Sequence, residues 1–201
     1  MLNNRVAGIV LAAGGATRFG SNKLAADWGG QTLLQWSATA MLGAGLDPVL
    51  AVVQPGLIPR LPERVTAVIN EQWRGGLATS VRAGLSALGG ELTVCAAVIA
   101  PADQPWCRTD VYRRLLDSFR SSARSIVIAT YDGAMRNPVL LARQQWTLAD
   151  QIEGDNGLSA VVRRMRPLEV ECGDVGSVVD IDTPADLARA PAAQPRTGDA
   201  G

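Results

Sequence analysis

Glycines and two cations follow the first apolar segment of the chain, and their spacing suits the binding of phosphate. Gly14, Gly15 and Gly20 lie in the loop after this segment, where glycine lets backbone N–H groups turn toward an anion. Arg18 and Lys23 add two positive charges to the same loop. This combination predicts a cradle for a polyphosphate.

Two better-known phosphate loops do not fit the segment. The gap from Gly15 to Gly20 matches the P-loop, but Ser21 occupies the position of its lysine. The dinucleotide fingerprint G-x-G-x-x-G is also missing, and residues 49–54 supply no acid for a ribose. The purely structural alternative is that this segment is only a glycine-rich turn between a strand and a helix, with two solvated cations.

An aspartate lies at the end of another apolar segment. Asp103 follows the predicted strand 96–100 and is flanked by Pro101 and Pro105, which restrict the backbone of the loop. Mg²⁺ binds through one or two carboxylates together with substrate phosphates, so a carboxylate beside the cradle predicts a magnesium ligand. The structural alternative is an aspartate that only forms a turn with its own backbone.

Asp180 and Asp182 are two further candidates for the metal site. If Val179 and Ile181 point to one face of a strand, both aspartates point to the other face. Alternatively, Asp182 caps the last helix, where a negative charge meets the helix dipole. The spacing alone does not decide which aspartate is the second ligand.

Composition limits the class of protein. The chain has 201 residues, 47% of them hydrophobic, with 19 basic and 19 acidic side chains. Zero net charge argues against nucleic-acid binding through bulk charge, and no stretch approaches the ~20 apolar residues of a membrane span. Three cysteines without a C-x-x-C pair are typical of a reducing cytoplasm. The absence of histidine excludes His-dependent catalysis and His-ligated metals.

Strand and helix patterns alternate along residues 1–189, which predicts one α/β domain with a mostly parallel sheet and helices on both faces. Ligands of such sheets bind at the carboxyl ends of the strands. Residues 190–201 lack periodicity and are predicted to form a disordered tail. The predicted helices include one capped by Thr32 with Leu33, Trp36, Ala40 and Met41 inward, one capped by Thr109, and segments 146–152 and 158–164.

The first loop also carries a family resemblance. The pattern L-A-A-G-x-x-x-R-x-G-x-x-K is matched by Leu11, Ala12, Ala13, Gly14, Arg18, Gly20 and Lys23. It resembles the signature loop of the molybdenum cofactor nucleotidyltransferases, and most closely that of the cytidylyltransferases. The resemblance implies a three-layer Rossmann-like fold and Mg²⁺-dependent transfer of CMP from CTP to the phosphate of molybdopterin cofactor, with release of pyrophosphate. It also implies Asp103 and Asp182 as metal ligands.

Three later segments extend this resemblance. The first segment resembles the base-and-ribose segment of the family through Asn70, Gly75, Gly76, Thr79 and Ser80. Asn137-Pro138 and Gly154-Asp155 resemble segments on the acceptor side, although G-D-x-G occurs in many turns. Arg136 departs from the small residue that is common at its position in the family. The alternative for Thr79 and Ser80 is simple capping of a helix.

The predicted base is cytosine, on evidence from two loops. The methyl group of Ala13 occupies space that guanylyltransferases of this family leave open with glycine, and residues 76–80 match the cytidylyl pattern G-x-x-[ST]-S. The rival interpretations are a guanylyltransferase, a sugar-1-phosphate or alcohol-phosphate nucleotidyltransferase, and a non-catalytic nucleotide-binding module. A chaperone that matures a client molybdoenzyme is a further one.

The cradle is testable by removing its cations. Lys23→Ala and Arg18→Ala should each lose about 3 kcal/mol of transition-state stabilisation, which is about a hundredfold in rate, because each side chain is expected to neutralise the triphosphate. Steady-state kinetics and thermal unfolding should show a loss of rate without a loss of stability. Full activity in Lys23→Ala would contradict the assignment.

Overall fold

The computed structural model describes residues 4–14, 24, 26–57, 60–152, 154 and 158–189. Its strands are β1 (Arg5–Ala12), β2 (Asp27–Trp28), β3 (Gln31–Thr32), β4 (Val49–Val53), β5 (Val65–Ile69), β6 (Val94–Pro101), β7 (Ile126–Tyr131), β8 (Ala134–Ala142) and β9 (Leu168–Glu171). Its α-helices are α1 (Leu33–Gly43), α2 (Leu77–Ala87), α3 (Thr109–Ser121), α4 (Leu158–Val162) and α5 (Pro184–Arg189). Short 3₁₀ helices cover Trp73–Gly75, Arg143–Gln151 and Arg163–Met165.

A seven-stranded sheet forms the centre of the described chain, in the order β5-β4-β1-β6-β8-β7-β9. All neighbours pair in parallel except β8, which is antiparallel to both β6 and β7. β8 reverses because Asp132 and Gly133 turn the chain with φ values of 51° and 74°. The prediction of a mostly parallel α/β sheet is confirmed.

Helices cover both faces of this sheet because side chains alternate along its strands. Ile9 of β1 packs in an apolar cluster with Val81 and Leu85 of α2. Val10 points to the opposite face, into a cluster that contains Met41 of α1 together with residues of α3. None of the described helices is long and apolar enough to cross a membrane. The predicted tail lies outside the described residues.

The predicted start of α1 is confirmed, whereas its predicted inner face is partly wrong. Thr32 and Gln35 form a capping box, with the Gln35 N–H 3.2 Å from Thr32 Oγ1 and the Thr32 N–H 2.9 Å from Gln35 Oε1. Leu34 and Ala38 are buried, while Trp36 is only half-buried. α3 begins one residue earlier than predicted, since Arg108 and not Thr109 is its N-cap.

Two other predicted elements differ from the structure. Residues 143–151 form a 3₁₀ helix where an α-helix was expected over 146–152. The segment that carries Asp180 and Asp182 is not a strand. Ile181 is fully buried against Trp28 and Leu33, while Val179 is 58% exposed, so these two side chains do not share a face.

Candidate nucleotide-binding site

The ends of β1 and β6 define one edge of the sheet. These parallel strands pair as far as Leu11 and Pro101, and the N–H of Ala102 then donates to the carbonyl of Leu11 at 3.0 Å. The loop after β1 and the loop after β6 therefore leave the sheet side by side. This register places Gly14 and Asp103 at the same edge, as expected for the carboxyl ends of parallel strands.

A pocket of about 560 Å³ lies at this edge. It is lined by Leu11, Ala13, Gly14, Trp73, Arg74, Gly75, Gly76, Leu77, Ser80, Pro101, Asp103 and Gly154. The pocket thus brings together residues from the first loop, the Asp103 loop and the segment over 70–80, which are distant in the sequence. Trp73 and Arg74 line the pocket although the sequence had indicated no role for either residue.

Several predicted site residues are not among the described residues that line the pocket. Gly15, Arg18, Lys23 and Asp155 lie outside the described residues. Ala12 is buried at the end of β1 and is not part of the pocket lining. Asn137 and Pro138 lie on β8 just beyond the pair between Ile99 and Val139. Because β8 runs antiparallel to β6, this position is beside the end of β6, at the same edge of the sheet as the pocket.

Asn70 is buried and holds the start of α2 in place. Its side-chain N–H groups donate to Thr79 Oγ1 at 2.9 Å and Ser80 Oγ at 3.1 Å, and its Oδ1 accepts from the Gln72 N–H at 3.0 Å. Neither Asn70 nor Thr79 lines the pocket, whereas Ser80 does. Asn70 therefore positions the Ser80 hydroxyl from behind the pocket wall.

The first turn of α2 meets Gly154 directly. The N–H of Ala78 donates to the Gly154 carbonyl at 3.1 Å, and the Thr79 hydroxyl donates to the Gly76 carbonyl at 2.8 Å. Gly76 has a φ of 86°, a value that side chains strongly disfavour. The requirement for glycine at position 76 is thus conformational, and the hydroxyl of Thr79 serves the start of the helix.

Hydrogen bonds tie the loop that carries Asp103 to two other segments. Ser37 Oγ of α1 donates to the Ala102 carbonyl at 3.1 Å, and the N–H of Ile181 donates to the Asp103 carbonyl at 3.0 Å. Gln104 is buried, and its side-chain N–H donates to Asp180 Oδ1 at 2.8 Å. Asp180 therefore lies next to the loop that carries Asp103, although the predicted strand is not formed.

Thr183 and Asp186 hydrogen-bond to each other at the start of α5. Thr183 Oγ1 donates to the Asp186 carboxylate at 2.7 Å, and the Asp186 N–H donates back to Thr183 Oγ1 at 3.1 Å. These hydrogen bonds from Thr183 lower the pKa of Asp186. Thr183 and Asp186 thus cap the start of the helix. Pro184 is the first residue of the helix.

Three tryptophans pack where these loops meet. Trp28 forms edge-to-face pairs with Trp36 and Trp106, at centroid distances of 5.7 and 5.5 Å. Trp36 Nε1 donates to the Trp28 carbonyl at 2.7 Å, and Ile181 packs into the same cluster. This tryptophan cluster joins the hairpin that follows the predicted cradle to the Asp103 loop and to the segment with Asp180.

The buried thiols near this site are not nucleophiles at neutral pH. Burial raises the pKa of Cys107, four residues after Asp103, to about 12, and raises that of Cys172 to about 11. A thiol attacks as its thiolate, which is scarcely populated at such pKa values. Burial of both thiols therefore disfavours covalent catalysis by these two cysteines.

The carboxylates at the site suit a metal ion whose other ligands are phosphate oxygens and water. Among the described residues, no group of three Cys, Asp or Glu side chains could hold a metal by itself. Asp103 and Asp180 are brought close by the hydrogen bonds described above, and Asp182 follows Ile181. One or two carboxylates completed by phosphate oxygens and water match the coordination that Mg²⁺ prefers.

The sequence matches a known class of enzyme. Residues 8–170 match the family model described as the MobA-like NTP transferase domain, and the chain belongs to that family. It is therefore a member of a nucleotidyltransferase family, which confirms the class inferred from the first loop.

Relatives in this class are similar over most of their length. The chain is 26% identical to the purine catabolism protein PucB of Bacillus subtilis, over 88% of this chain and 91% of that one. It is 27% identical to a probable molybdenum cofactor guanylyltransferase of Mycobacterium tuberculosis, over 90% and 91%. The crystal structure of Rv0371c from Mycobacterium tuberculosis matches with a TM-score of 0.76 at 23% identity, over 93% and 97%. The structural match supports the fold alone.

The network around Asn70 yields a test of the pocket wall. Asn70→Ala should lower the free energy of unfolding by about 1–3 kcal/mol, because Ser80 and the Gln72 N–H lose a buried hydrogen-bond partner. Nucleotide affinity should fall as well, since Ser80 is no longer held. Gln72→Ala is the control, because only the main chain of this exposed residue takes part. Equal stability of the two variants in urea unfolding would contradict the positioning role.

Proposed function

We propose that this chain transfers a nucleoside monophosphate from an NTP to the phosphate of a molybdopterin-type cofactor, with release of pyrophosphate. The observation that carries the proposal is the single pocket shared by Gly14, Asp103 and Ser80, at the strand ends of a MobA-like NTP transferase domain. The relative named as a probable molybdenum cofactor guanylyltransferase supports the acceptor class.

The chemistry is an in-line attack of the acceptor phosphate on the α-phosphorus of the NTP. The second pKa of a phosphate monoester is about 6, so at neutral pH the acceptor is largely a dianion and needs no general base. This suits a chain without histidine. In this proposal Arg18, Lys23 and the backbone amides of the first loop neutralise the charge of the triphosphate.

Asp103 and one of the two later aspartates, Asp180 or Asp182, are the residues that would hold Mg²⁺. The bound metal would neutralise charge on the phosphate oxygens as pyrophosphate leaves. The crystal structure of Rv0371c in complex with manganese, which matches with a TM-score of 0.71, has the same fold at 21% identity. Asp180, which is fixed by Gln104, and Asp182 remain alternatives for the second ligand.

Substitution of the aspartates separates metal binding from folding. Asp103→Asn keeps the shape of the side chain but removes its charge, so metal-dependent turnover should fall by at least about a hundredfold while the melting temperature changes little. Mn²⁺ affinity in the presence of NTP, followed by electron paramagnetic resonance, should fall in parallel. Asp117→Asn, on the exposed side of α3, is the matched control. The same measurement on Asp180→Asn and Asp182→Asn identifies the second ligand.

The base of the NTP is assigned as cytosine, with guanine as the alternative that the named relative supports. Ala13 lies in the loop after β1 and Ser80 in the first turn of α2, and both line the pocket. Their side chains narrow a space that would otherwise accept a larger purine. Backbone amides are suited to reading the O2 and N4 edge of cytosine.

Kinetic comparison of the nucleotides tests both the reaction and the base. Pyrophosphate release with purified molybdopterin cofactor should be faster with CTP than with GTP. Because a methyl contact contributes only about 1–3 kcal/mol, the ratio of the two rates should lie within about 10–200-fold. Ala13→Gly should narrow the difference by improving kcat/KM for GTP. A preference of the unmodified protein for GTP would overturn the cytosine assignment and leave the transferase assignment intact. Absence of release with all four NTPs would overturn the reaction itself.

A further inference from the structure

Arg74 lies at the pocket with its guanidinium group stacked on an aromatic ring. Its Cζ is 4.5 Å from the centroid of the Trp73 ring, and both residues line the pocket. Trp73 is half-buried and packs against the apolar cluster on the α2 side of the sheet. The ring is therefore packed against the core and covered by Arg74, which makes it a support for the guanidinium group.

A second stacked pair in the same protein shows what is distinctive about Arg74. Arg143 lies over Trp146 at 4.4 Å, but its N–H groups donate to backbone carbonyls, among them Val94 at 2.8 Å and Glu91 at 2.6 Å. Arg143 is thus a structural residue. Within the described part of the chain, Arg74 has no such carbonyl or carboxylate partner, and its side chain is exposed.

The charges of the pocket lining also favour a role for Arg74 in binding a ligand. Of the lining residues that the structure describes, Arg74 is the one that carries a positive charge and Asp103 the one that carries a negative charge. An arginine on an aromatic ring presents a planar set of N–H donors in a fixed orientation, which favours phosphate and carboxylate oxygens. Its donors therefore suit an anionic ligand that enters the pocket.

We propose that Arg74, held by Trp73, is a binding residue for a phosphate group of a ligand in this pocket. The inference rests on the proposed function and deepens it. That function supplies two sources of phosphate, the triphosphate of the NTP and the phosphomonoester of the acceptor. The experiment therefore has one arm for each ligand.

The first arm measures equilibrium binding of CTP, GTP and inorganic pyrophosphate by titration calorimetry at several salt concentrations. Arg74→Gln keeps a long polar side chain but removes the charge, so affinity for a phosphate ligand that Arg74 contacts should fall about tenfold. The dependence of affinity on salt should also weaken, because one charge contact is gone. Arg120→Gln is the control, since Arg120 is exposed on α3 and does not line the pocket.

The second arm measures the KM for the molybdopterin acceptor at saturating NTP. If Arg74 contacts the acceptor phosphate, Arg74→Gln should raise this KM about tenfold while nucleotide binding stays as in the unmodified protein. Arg74→Lys keeps the charge but not the planar donors, so it should restore only part of the loss in whichever arm responds.

The outcomes distinguish this inference from the proposed function. A loss in either arm, absent in Arg120→Gln, supports Arg74 as a phosphate-binding residue and identifies the ligand. Unchanged affinities and an unchanged KM in Arg74→Gln overturn the inference while the transferase function stands. If the unmodified protein binds no nucleotide and no pyrophosphate, both the proposed function and the inference fail.

Discussion

The pairing of β1 with β6 is the constraint on which the site depends. Their parallel register ends at Leu11 and Pro101, and the hydrogen bond from Ala102 to Leu11 continues it one step into the loop. A slip of one residue would turn every side chain of a strand to the opposite face, so the two apolar clusters fix this register firmly. The fixed register also places the starts of the two loops that follow these strands, and Gly14 and Asp103 therefore line one pocket.

Polar contacts then extend this order to segments outside the sheet. Asn70 and Gln104 are both buried, and each uses its side-chain amide to connect segments that the sheet alone does not align. A buried donor without a partner would cost free energy, and the side-chain N–H groups of both residues are hydrogen-bonded. The consequence is that Ser80 of the pocket wall and the loop that carries Asp103 are both tied to neighbouring segments, as the proposed in-line reaction of two phosphate groups requires.

Much of the architecture could be predicted because it is encoded locally. Continuous apolar runs predicted the strands, and Thr32 marked the start of α1. Asp103 was recognisable because prolines flank it at the end of an apolar strand. Of the segments that carry the family resemblance, the first loop, the Asp103 loop, residues 70–80 and Gly154 contribute to the pocket, whereas Asn137 and Pro138 do not line it. The roles of the individual residues remain predictions.

Other features could not be predicted because they arise between distant segments. Ile181 is buried because tryptophans and Leu33 cover it, and this contact prevents the simple alternation expected over 178–182. Gln104 reaches Asp180 across 76 positions of sequence. The pairing of Arg74 with Trp73 is local, but the pattern does not show that this arginine, unlike Arg143, keeps its donors away from backbone carbonyls.

The tryptophan cluster gives the protein an optical property that follows from its geometry. Trp28, Trp36 and Trp106 account for three of the five tryptophans, and their rings meet edge to face at under 6 Å between centroids. Indole transitions this close couple to one another, so the cluster should produce a strong near-ultraviolet circular dichroism signal. Because the rings come from three segments, one of them the loop that carries Asp103, this signal reports the relative orientation of those segments without any added label.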